Sequence, residues 1–104
     1  MTYEGWRNQE TWQVNLHIEN EERSYLYWTR AARRTVEDAD SKSQAVKDLT
    51  EQLREELEES ALDKMEELPE FARDLLIMSL REVDWSEIAE HMVDNALSTS
   101  LGRR

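Results

Sequence analysis

The chain has 104 residues, 24 acidic and 13 basic, with a net charge of −11 and no cysteine. That length makes one domain with a modest core, and the missing cysteines exclude disulfides, thiolate metal sites and thiol nucleophiles together. No apolar run approaches the roughly 20 residues needed to span a bilayer, and the N-terminus lacks the basic-then-apolar pattern of a secretory leader, so a soluble, cytoplasmic protein is expected.

Two glycines and one proline leave little turn punctuation, which argues for helices and against many short strands. The hardest stretch comes first. Trp12, Val14, Leu16 and Ile18 alternate with polar residues, a period that alone suggests a strand. A helix is favoured by Asn8 as N-cap and by Glu10 in the first turn, where the helix dipole stabilises an anion. A lone strand would also leave its backbone groups unpaired, and no second run offers a partner. The expectation is a helix over about 8–19, with Trp12/Leu16 and Val14/Ile18 as apolar stripes on opposite sides, sandwiched inside the domain.

Asn20 is then expected to cap a second helix, about 21–38, with Tyr25, Trp28, Ala32 and Val36 as its inward stripe. A third helix, about 42–66, carries Val46, Leu49, Leu53 and Leu57 on one face and charge on the other, with a break near Ser60 left open. Pro69 fits the first turn of a fourth helix, about 69–82, where its missing N–H does no harm. Phe71, Leu75, Leu76, Met78 and Leu80 make that helix apolar over a wide arc, and it is expected to be central. Asp84-Trp85-Ser86-Glu87 resembles a capping box and opens a fifth helix, about 85–97, with Ile88, Ala89, Met92, Val93 and Ala96 inward. Residues 98–104 read as a frayed tail. The predicted fold is all-α: a single-domain bundle of four to five helices over residues 1–97.

The charge is uneven. Residues 1–36 are neutral, residues 37–70 carry −9 and residues 71–104 carry −2. A surface of that sign disfavours direct nucleic-acid binding and favours a basic partner through its long-range field. Glu51, Glu55, Glu58, Glu59, Asp63, Glu66 and Glu67 fall at helical spacings that keep many carboxylates on one side. Four helical residues rise about 6 Å, close to the separation of phosphates along a strand, so such a row could compete with DNA for a basic groove. The plainer expectation is a solvated face on a long helix. Only three of the basic residues are lysines, a composition that a salt-loving host or a GC-rich genome also produces.

The opening G-W-R-N-Q-E-T-W-Q-V-N-L-H-I-E-N resembles the start of a group of small, largely uncharacterised proteins of phages, plasmids and prokaryotic genomes. The likeness falls on Tyr3, Gly5, Trp6, Asn8, Glu10, Thr11, Trp12, Val14, Leu16, Ile18 and Asn20, and again on V-D-W-S-E-I-A-E at 83–90. It covers about a third of the chain. His17 stands where that group often has an aromatic. The resemblance implies a mobile-element origin and a cytoplasmic home, and no activity.

Trp6, Asn8, Glu10, Thr11 and Trp12 could line a ligand pocket. More simply, the tryptophans are core and Asn8, Glu10 and Thr11 form a hydrogen-bonded helix start. His17 with Glu21, and Glu87 with His91, each place an imidazole and a carboxylate four residues apart, the spacing of a metal half-site. The abundance of Glu makes that spacing common by chance, and no metal or other cofactor is expected. Arg30, Arg33 and Arg34 are expected on one face of the second helix, paired with acidic groups of the same protein. Serines without a glycine-rich turn, and no phosphate loop, argue against catalysis. The expected function is a non-enzymatic interaction protein, in its specific form a mobile-element-derived inhibitor, that engages a basic, DNA-handling protein through its acidic middle helix. The alternative is a self-associating structural subunit.

Overall fold

A computed structural model describes the backbone of residues 2–102 and the side chains of 2–98. Its helices are α1 (Gln9–Asn20), α2 (Glu22–Asp38), α3 (Lys42–Leu53), α4 (Glu59–Lys64), α5 (Glu70–Glu82) and α6 (Trp85–Gly102). A π-helical turn (Arg54–Glu58) joins α3 to α4 without a break, and a 3-10 turn (Met65–Glu67) follows α4. The fold is an all-α, single-domain bundle of five rods.

Trp12–Ile18 is helical. Asn8 caps α1, its Oδ1 accepting from the Thr11 N–H at 2.9 Å. The helix is not sandwiched as predicted. Its buried face is Thr11, Asn15 and Ile18, so a polar pair sits at the centre and the two apolar stripes flank it. Val14 turns toward Leu76, Leu80 and Val83, while Trp12 packs edge-on against Tyr3, centroids 5.1 Å apart. The residue before α2 corrects another expectation. Glu21, not Asn20, is the cap, accepting from the Arg23 and Ser24 N–H groups. Its longer side chain does the same work as an Asn and adds a full negative charge at the helix N-terminus.

The core lies where α2, α3 and α6 meet, with α1 laid over α2 and α6. Trp28, Ala31, Ala32, Ala45, Leu49, Leu53, Ile88, Ala89, Val93 and Ala96 are buried there. The inward set predicted for α6 is all buried. On α2 the stripe is rotated: Ala31 points in and Tyr25 is 48% exposed. Lys42 at the start of α3 pairs with Asp94 on α6 at 2.7 Å. α6 runs to Gly102, past the predicted end at 97. Residues 103 and 104 of the expected tail lie outside the described residues.

The largest correction concerns α5. It was expected to be central, yet it has no buried residue. It packs on α1 and on the preceding turn, burying only the Leu76/Leu80 side in part. Phe71, Leu75 and Met78 are 69%, 57% and 61% exposed. A wide apolar arc states that a helix can be covered all round, not that one small chain has the surface to cover it. Among the described residues, every side chain from Arg54 to Glu82 is short of full burial, so this stretch forms an acidic limb beside the core. No helix is long and apolar enough to cross a membrane among the described residues.

Candidate interaction surface

The limb begins at the π turn. The Glu59 N–H bonds to the Arg54 carbonyl, five residues back, which inserts one extra residue into the helical register. Everything beyond is rotated by roughly 100° relative to a regular helix. The carboxylate row expected from Glu51 to Glu67 crosses this register shift. Glu51 lies before the π turn, Glu55 within it, and Glu59, Asp63, Glu66 and Glu67 after it; all six are exposed. Glu58 leaves the row. It turns to the core edge, accepts the Trp85 Nε1–H at 2.9 Å and pairs with Arg54 at 3.5 Å. Glu56, between them, accepts from the Tyr27 hydroxyl and from Gln52, and that hydrogen bond holds the Tyr27 pKa above its ordinary value.

At Leu68 the backbone becomes extended, as the residue before a proline must, and α5 begins. Leu68, Phe71, Leu75 and Met78 follow at helical spacing and are all exposed. The surface of the limb is thus an apolar stripe bordered by carboxylates. Sequence periodicity had assigned Phe71, Leu75 and Met78 to a central helix; Leu68 was not singled out. Isolated exposed apolar residues are ordinary, whereas a row of them on one helix is the kind of surface that contacts use.

The N-terminal motif does something else. Tyr3 and Trp6 exchange both backbone hydrogen bonds, at 2.6 and 2.8 Å, across a two-residue turn in which Glu4 and Gly5 have φ of 51° and 86°. That turn favours glycine at its second position. It sets Tyr3 on Trp12 and Trp6 edge-on to His91. Trp6 and Trp12 are half-buried at the margin; the buried tryptophans are Trp28 and Trp85. Glu10 is half-buried beside the seam between α1 and α5.

The two stretches that carried the family resemblance meet in one hydrogen-bonded clamp. The Thr11 hydroxyl donates to Asn8 Oδ1 at 2.6 Å and accepts from the Asp84 N–H at 2.9 Å. Asn8 Nδ2 donates to the Glu82 carbonyl. Asp84 caps α6 by accepting from the Glu87 N–H at 3.0 Å. Glu87 does not reach back to its own cap, as a capping box would; it accepts from the Arg7 N–H at 3.0 Å. The box is completed by the other end of the chain.

Burial alone would raise the Asp84 pKa, but the Glu87 N–H, the Ser86 hydroxyl and the Arg7 guanidinium more than offset it and hold it below the ordinary carboxylate value. A depressed carboxyl contributes stability that is present above its unfolded pKa and lost as the pH falls through the folded one. Asp84→Ala is therefore expected to cost about 1–2 kcal/mol at neutral pH. Urea titrations at several pH values should show the difference from wild type shrinking below about pH 4; a pH-independent difference would assign Asp84 a purely steric role.

The histidine pairs do not meet. His17 is exposed on the outer side of α1. His91 lies 3.7 Å from Glu19 and 3.3 Å from Asn95, while Glu87 is held by Arg7. Among the described residues no three His, Asp or Glu side chains gather closely enough to hold a metal ion. His91, Glu19 and buried Asn15 line a cavity of about 390 Å³ between α1, α2 and α6. Asn15 Nδ2 donates to Glu19, and its Oδ1 has no partner.

The arginines divide. Arg33 is half-buried and lines that cavity. Arg30 and Arg34 lie on the outer face of α2 with Arg23, around exposed Leu26 and Tyr27, in a groove of about 420 Å³. Arg23 was not singled out from the sequence, although Arg23, Tyr27, Arg30 and Arg34 step by 4, 3 and 4. The expected pairing with carboxylates is absent: none of these arginines is in an ion pair among the described residues.

The chain belongs to the family of unknown function DUF7249, which matches residues 1–99. No curated protein and no solved structure matches it.

Proposed function

We propose that the protein is a non-enzymatic interaction module whose limb, from the π turn through α5, receives a basic partner. The observation that carries this is the exposed stripe Phe71, Leu75 and Met78 set among free carboxylates. Apolar contact supplies affinity and the surrounding charge supplies steering and partner choice. The resemblance of the N-terminal motif to phage and plasmid proteins supports a more specific form: an inhibitor of mobile-element origin aimed at a DNA-handling protein.

The test uses affinity capture from cell extract and a charge-reversed variant, Glu51→Lys, Glu55→Lys, Glu59→Lys and Asp63→Lys. Glu58 is left in place because it holds Trp85. All four positions are exposed, so the helical spectrum and melting should survive, while binding to the captured partner falls about tenfold or more and weakens with salt. Undiminished binding would overturn the role of the limb's charge. DNA that displaces the protein competitively supports mimicry. A ternary complex with DNA excludes mimicry and leaves a plain interaction role.

A further inference from the structure

We infer that the basic surface that covers the limb belongs to a second copy of this chain, joined head to tail, with the outer face of α5 in one copy seated on the arginine groove of α2 in the next. This rests on the limb being a contact surface, as proposed above. α5 is apolar on opposite sides. Leu76, Ile77 and Leu80 are half-buried against the molecule, and Phe71, Leu75 and Met78 face outward. A helix apolar all round belongs in an interior, so its outer face calls for a cover that is apolar at the centre and basic at the edge.

The outer face of α2 has that composition. Leu26 and Tyr27 are 42% and 48% exposed, and Arg23, Arg30 and Arg34 surround them without an ion pair among the described residues. The exposed charged residues of α5 are Glu70, Asp74, Arg81 and Glu82, three acidic and one basic. Charge thus matches charge and apolar matches apolar across the two faces. The two faces differ, so the contact is heterologous: it propagates into rings or chains unless something stops it. Each copy also carries −11. That long-range repulsion opposes association at low ionic strength and is screened beyond about 10 Å at 0.1 M salt, whereas ion pairs closed inside the contact are screened less.

Sedimentation velocity on the purified full chain tests this with two variants. One is Phe71→Asp with Met78→Asp, which spoils the α5 face. The other is Arg23→Glu, Arg30→Glu and Arg34→Glu, which spoils the α2 face. All five positions are exposed, and circular dichroism checks that each variant folds; Phe71→Ser carries the α5 arm should the aspartates unfold it. Wild type is expected to grow past dimer with concentration, and more readily at physiological than at low salt. Each variant should stay monomeric. Their equimolar mixture should double in mass and stop there, because each mixed pair holds one intact α5 face and one intact α2 face, already used. A wild type that is monomeric at every concentration overturns the inference. So does a wild-type dimer that the arginine variant still forms, or a mixture that stays monomeric. The two proposals separate cleanly. If wild type is monomeric but the α5 variant loses a basic protein captured from extract, self-assembly fails and the limb's role stands. If the α5 variant loses neither, both fail.

Discussion

Trp85→Ala is expected to lower stability by about 3–5 kcal/mol, the usual cost of emptying a buried tryptophan site. Against a total of about 5–15 kcal/mol for a domain of this kind, much of the population could unfold at moderate temperature. Trp85 is only 6% exposed. It fills the junction of α6 with the π turn and donates to Glu58. Trp85→Phe keeps most of the packing and loses that donor, so it should cost about 1.5 kcal/mol. Trp12→Ala provides the contrast. Its ring is half-buried against Tyr3 at the margin, and the expected loss is nearer 1–2 kcal/mol. Urea unfolding followed by far-ultraviolet circular dichroism measures all three. Equal losses at Trp12 and Trp85 would show that the margin carries as much of the stability as the core.

Thr11→Val is the second substitution with a large expected effect, although it barely changes shape. Thr11 is fully buried, and its hydroxyl joins Asn8 to the Asp84 N–H. Valine keeps the packing and removes both hydrogen bonds, leaving the Asp84 N–H without its partner, at about 1–3 kcal/mol. Thr11→Ser retains the hydroxyl and should recover most of the loss. Amide hydrogen exchange gives a local readout. The Asp84 amide should lose protection in Thr11→Val well beyond the global change, and uniform loss across all helices would mean that the clamp opens only with the whole fold.

The clamp also shows how a motif can be legible in its parts and hidden in its purpose. Asn8 as a cap and Asp84 as a cap were each readable from residue type and spacing, because capping is local: the side chain reaches an N–H three residues on. That Thr11 would bridge the two caps, and that Arg7 would occupy Glu87, was not readable, since those contacts join residues 73 to 80 positions apart. The arginines of α2 behave in the same way. Their periodicity is written in the sequence, but their separation into an outer groove and a cavity wall depends on where α1, α3 and α6 sit.

The sequence by itself determined the all-α class, the helical state of Trp12–Ile18, the inward face of α6 and the inward Leu49/Leu53 pair of α3. These follow from turn residues, caps and a 3.6-residue period, each of which acts within a few positions of the chain. Only the tertiary structure decided which apolar surfaces found a partner. The apolar arc of α5 has the pattern of a central helix, and the pattern is satisfied whether the cover comes from the same chain or from outside it. Here α2, α3 and α6 close the core without it, and Phe71, Leu75 and Met78 are left facing out. The acidic row was decided there too. Regular spacing placed Glu58 in it, but in the fold Glu58 turns to the indole of Trp85, 27 residues further on, a contact that no local spacing announces.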